Sequence, residues 1–148
     1  MGYRFLEHVT DAVVEAEGAS LEDAFLAAAD ATVELTLDRS SVNESESVSF
    51  EAEGTDLHCL LYNWLEEIIY VLITRGFAIR RVAIEAAAWP APGNGNAAPL
   101  HIRASARGEP IDLARHGFRV EIKSPTFHDM DVVEGSDGRV LARFLLDL

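Results

Sequence analysis

Asp56-Leu-His-Cys-Leu-Leu-Tyr-Asn-Trp-Leu-Glu-Glu-Ile-Ile-Tyr-Val-Leu-Ile-Thr-Arg-Gly76 is the stretch on which the fold turns. Leu57, Leu60, Leu61, Trp64, Leu65, Ile68 and Leu72 recur at steps of three and four, the spacing of one helix face. Cys59, Asn63, Glu66, Glu67, Tyr70 and Thr74 fall on the other side. Thr55 or Asp56 can cap the start, Arg75 suits the negative end of the dipole, and Gly76 suits a left-handed stop. The stripe is broad enough to lie against a sheet. Glu66 and Glu67 at mid-helix exclude a membrane span, where charge is expensive.

Outward from this helix, short alternating runs predominate. Tyr3, Phe5 and then Ala12 to Glu17 read as extended, interrupted near Glu7–Asp11. Ser20-Leu-Glu-Asp23 opens a second helix like a capping box, with Leu21, Ala24, Phe25, Ala28, Thr32 and Leu35 as its stripe to about Leu37. Val48, Phe50 and Ala52 alternate with Ser49, Glu51 and Glu53 in a strand with one wet face. Arg80 to Ala88, Leu100 to Arg107, and Phe118, Val120 and Ile122 repeat the pattern. Prolines and glycines between Trp89 and Pro99 mark a loop. Phe127 to Val133 and Val140 to Leu146 flank a hairpin signal at Glu134–Gly138. The order predicts a single domain over residues 1–148. Its expected fold class is α+β, with two helices on one face of a mixed, mostly antiparallel β-sheet.

At 148 residues, 49% hydrophobic and 25% charged, the chain is long enough for a sizeable core and too apolar for disorder. Its twelve basic residues, one of them lysine, face 25 acidic ones for a net charge of −13. That balance disfavours direct contact with a phosphate backbone and fits a basic protein partner or hard cations. One cysteine, Cys59, excludes an internal disulfide framework and a cysteine zinc cluster. The start has no apolar run of signal-peptide length, so a cytoplasmic location is expected.

Carboxylates break the alternation in two places. Glu7-His-Val-Thr-Asp11 inserts polar residues into a strand that otherwise reads as core. Phe144-Leu-Leu-Asp147-Leu148 sets the Asp147 side chain beside the Leu148 terminus. If the first and last strands are neighbours, Asp11 joins them. Three carboxylates in reach of one another repel unless a cation lies between them, and an oxygen-only set selects Ca²⁺, Mg²⁺ or Mn²⁺ over Zn²⁺. His8 and His128 could ligate metal or move protons. Glu66 and Glu67, as neighbours in sequence, do not face each other on a helix. Cys59 has no evident base, and no Walker loop, dinucleotide fingerprint or nucleophile elbow is present.

Five fragments, in order and over nearly the whole chain, resemble the archease family. They are Tyr3-Arg-Phe-Leu-Glu-His-Val-Thr-Asp11, Gly18-Ala-Ser-Leu-Glu-Asp-Ala-Phe25, Asp56–Glu67, Val120–Met130, and an ending in Asp147 plus one aliphatic residue. The resemblance implies a metal site at Asp11, Asp147 and Leu148, where Leu148 contributes a terminal or main-chain oxygen. It also implies a non-enzymatic role: promoting guanylylation of the histidine of an RtcB-type RNA ligase, and its multiple turnover in tRNA splicing or RNA repair. RNA would then be met only through the ligase. The family's His-Thr-Ala-Asp is His-Val-Thr-Asp here, so Thr10 is displaced by one place. The Trp89–Pro99 loop is longer than the family pattern. The rival readings are a free-standing metal-dependent phosphoester hydrolase using Asp11, Asp147 and His128, and a metal-stabilised binding module.

Overall fold

A computed structural model of the chain describes residues 2–6, 11–90 and 99–148. His8 and Thr10 lie outside the described residues, as does most of the loop between Trp89 and Pro99. Strand β1 spans Gly2–Leu6 and β2 spans Asp11–Gly18. Helix α1, Leu21–Thr36, is capped by the Ser20 hydroxyl, which accepts from the Asp23 N–H. After β3, Glu46–Gly54, helix α2 runs Leu57–Ile69 and is capped by Asp56, which accepts from the Cys59 N–H. Strands β4 (Phe77–Ala88), β5 (Leu100–Pro110), β6 (Ser124–Glu134) and β7 (Val140–Asp147) follow.

The predicted α+β class and its two helices stand, and the strands divide between two sheets. One has the order β1-β2-β7-β6 and the other β3-β5-β4, and every pairing in both is antiparallel. Each helix touches strands of both sheets: α1 packs on β2 and β4, α2 on β3 and β6, and the helices meet each other. The core is continuous for that reason. Trp64 is its centre, with no exposure, its ring 6.3 Å from that of Phe25 and 5.4 Å from that of Phe50. The Trp64 indole N–H donates to the Phe25 carbonyl at 2.9 Å, so this buried donor is satisfied where the two helices cross.

Three local readings change. The extended segment at the start is a β1–β2 hairpin, with Leu6 opposite Val13. The α-helix from Asp56 ends at Ile69 and widens to a π-turn over Tyr70–Thr74, which keeps Val71 and Leu72 buried before Gly76 ends it at φ +61°. Phe118–Ile122 alternates like a strand but forms none. Its hydrogen bonds go elsewhere: the Arg119 N–H donates to the Thr36 carbonyl, and its guanidinium reaches the Leu37 carbonyl at 3.0 Å. The end of α1 therefore holds this segment.

Candidate functional site

The first and last ribbons of the chain do lie side by side. β2 pairs with β7 along its whole length, and the ladder ends with Asp11 directly opposite Asp147. Residues opposite each other project from the same face of a sheet, with β-carbons about 5 Å apart. The pairing is fixed by burial. Ala12, Val14 and Ala16 of β2 and Ala142, Phe144 and Leu146 of β7 all join the core. A slip of one residue would expose these six and bury the acids. On its other side Asp147 is opposite Ser124 of β6, and its carbonyl accepts the Lys123 N–H at 2.8 Å. Leu148 packs its side chain against the core, which anchors the backbone just past Asp147.

Asp147 is exposed and Asp11 half-buried, with one Asp11 carboxylate oxygen out of solvent contact. Two acids in one row, one partly desolvated, suit a hard cation by charge and donor type. Among the described residues no three of His, Cys, Asp and Glu form a metal-holding group.

The other sequence candidates go elsewhere. His128 is exposed, 3.4 Å from Asp129, and is not gathered with the two aspartates. Glu66 points to solvent beside half-buried Glu67, whose carboxyl is raised above its ordinary range by burial and then by Glu66. Cys59 is half-buried in the first turn of α2.

Two groupings have no clear signal in the sequence. Glu109 and His116 are both buried. The Glu109 carboxylate receives Arg115 at 2.7 Å, the Asn43 N–H at 2.8 Å and His116 Nε2 at 3.0 Å. His116 Nδ1 accepts the Asp112 N–H at 2.9 Å, so the proton resides on Nε2 and points at Glu109. These bonds tie the segment after β5 to the loop before β3. Separately, a cleft of about 510 Å³ lies between α1 and β4, edged by Arg39, Arg80 and Arg81. Arg39 is neutralised by Asp30 at 2.7 Å and Glu34 at 2.9 Å, and Arg81 by Glu44 at 3.0 Å. Arg80 donates to the Arg39 and Ser40 carbonyls. The cleft is thus an internally compensated ionic lattice and not an open anion receptor.

Comparison with known proteins adds a family. Residues 3–148 match the model of the Archease protein family (MTH1598/TM1083). The chain is 36% identical to the protein archease of Methanopyrus kandleri over 153 residues, covering 100% of both chains. It is 32% identical to that of Pyrococcus abyssi, over 96% of this chain and 95% of the relative. The solution structure of Methanobacterium thermoautotrophicum protein 1598 superposes with TM-score 0.78 at 31% identity, over 99% of each chain. The crystal structure of an archease, described as a possible chaperone, from Thermotoga maritima has TM-score 0.60 at 18% identity, covering 97% of this chain and 94% of that one, and shares the fold.

Proposed function

The chain belongs to the archease family, and from that premise we propose that it is a protein cofactor, without a reaction of its own, that activates an RtcB-type RNA ligase in the cytoplasm. The observation that carries the reading is the Asp11–Asp147 pair at the end of the β2–β7 ladder. Asp11, Asp147 and the main chain of Leu148 would hold a Ca²⁺, Mg²⁺ or Mn²⁺ ion. Such an ion supplies positive charge where nucleotide phosphates must be arranged.

The chain's own part is positional. The ladder holds both carboxylates at one end of the two inner strands, and the packed Leu148 side chain keeps the last residues from fraying. The charge of −13 supports contact with protein over contact with RNA, so that RNA is met through the ligase. Among the described residues no helix is long and apolar enough to cross a membrane.

The test is guanylylation of the purified ligase, followed with wild type, Asp11→Ala and Asp147→Ala. Folded variants should lose most of the stimulation. Full stimulation by both variants overturns the reading, and phosphoester turnover by the protein alone would favour the hydrolase instead.

A further inference from the structure

Strand β6 forms one edge of its sheet and leaves the ladder for four residues. Pairing with β7 runs to Thr126–Leu145, stops, and resumes at Asp131–Arg143. Inside the gap Asp129 has φ +55°, and no other non-glycine among the described residues has a positive φ. Side chains disfavour that backbone region, and such strain gathers where a surface has work to do. Breaks of this kind re-aim side chains. Phe127, His128 and Asp129 are all exposed here, and Phe127 is the apolar one among them.

Phe127 is 54% exposed. Its ring lies flat on Tyr62 of α2, with centroids 4.3 Å apart and planes 8° apart. Tyrosine covers one face of the phenyl ring, and about half of the residue stays in solvent. Acids rim the pair. Glu66 is close enough to Tyr62 to push its phenol up, second to burial. Asp131 is 3.6 Å from His58, and Asp129 is 3.4 Å from His128. An exposed aromatic ring with carboxylates near it in the fold is a receptor for a guanidinium, which stacks flat on a ring while donating in-plane bonds to acids. The acidity of the whole chain speaks for a basic polypeptide and against nucleic acid.

We infer that the Tyr62–Phe127 stack and its acidic rim are a docking surface for an arginine-bearing, basic segment of the protein partner. This deepens the activator reading and rests on it for the partner's identity alone, since the ligase would supply the segment. The surface lies three residues along β6 from Ser124, the residue opposite Asp147, and gives the partner a contact that needs no metal.

Labelled hexa-arginine and hexalysine peptides, followed by fluorescence anisotropy, test the surface without any ligase. Hexa-arginine should bind more tightly than hexalysine, Phe127→Ser should weaken it about 10-fold, and Phe127→Tyr should hold within about 2-fold. Calorimetry with purified ligase in EDTA should show a similar loss for Phe127→Ser and none for Glu22→Gln, an exposed acid in the first turn of α1. If wild type stimulates the ligase but Phe127→Ser binds both peptide and ligase as wild type does, the docking surface is wrong and the activator reading stands. If wild type binds no ligase while the peptide results hold, the activator reading falls and the surface stands. Self-association or single-stranded RNA binding that Phe127→Ser abolishes, with peptide binding unchanged, also overturns the proposal.

Discussion

Asp11 and Asp147 stand directly opposite each other on neighbouring antiparallel strands, at the end of the β2–β7 ladder. The core residues that follow Asp11 and precede Asp147 fix this register, so the acids cannot move apart without unburying Ala12 and Leu146. Like charges directly opposite on a sheet cost up to about 1 kcal/mol each.

Removing one charge should therefore stabilise the metal-free protein. In EDTA, Asp147→Asn is expected to unfold at or slightly above the wild-type temperature. At Ca²⁺ a hundredfold above its dissociation constant, wild type should gain about 2.7 kcal/mol, roughly 10 °C, and the variant much less. Thermal scans with chelator and with Ca²⁺, Mg²⁺ or Mn²⁺ decide it, and equal gains in both proteins would place the ion elsewhere.

Acid sensitivity should trace to Glu109. Arg115, the Asn43 N–H and His116, in that order, hold its carboxyl down to about 2 from an ordinary 4.5. A depressed folded value means the stabilisation is complete above about pH 4.5 and fades as pH falls towards 2. Glu109→Gln should lower the urea midpoint at pH 7, with the gap to wild type closing below pH 3. Parallel curves at pH 7, 4.5 and 2.5 would show that Glu109 does not carry the linkage.

The helix crossing should depend on a single buried donor. Trp64→Phe removes the indole N–H that the Phe25 carbonyl accepts at 2.9 Å and leaves that carbonyl its helical bond, and should cost about 1 kcal/mol. Trp64→Ala adds a cavity and should cost about 3–5 kcal/mol. Equilibrium denaturation with far-ultraviolet circular dichroism measures both.

Packing of β4 against β5 should not tolerate a side chain at residue 108. A β-carbon on Gly108 would come 1.8 Å from the Ala78 carbonyl oxygen, which is backbone and cannot step aside. Gly108→Ala should cost about 3 kcal/mol or more. Gly2→Ala, where nothing lies within 4 Å, should stay within about 0.5 kcal/mol of wild type. Denaturant midpoints of the two variants give the comparison.

The amino-acid order by itself determined both helices, since a stripe at steps of three and four and a capping Ser20 or Asp56 are local signals that need no partner. It also singled out Asp11 and Asp147, though not their pairing, because polar residues in an apolar strand stand out wherever that strand goes. Alternation could not separate a true strand from Phe118–Ile122, where the end of α1 claims the backbone bonds that a ladder would use. Nor could it show that the strands divide between two sheets, since pairing is a choice among distant segments. Only the tertiary structure decided that Asp11 faces Asp147, that His128 stays apart from them, that Glu109 meets His116, and that Phe127 is turned out onto Tyr62. Each of these depends on which strands become neighbours and where a ladder breaks, and the burial of the whole core sets those registers.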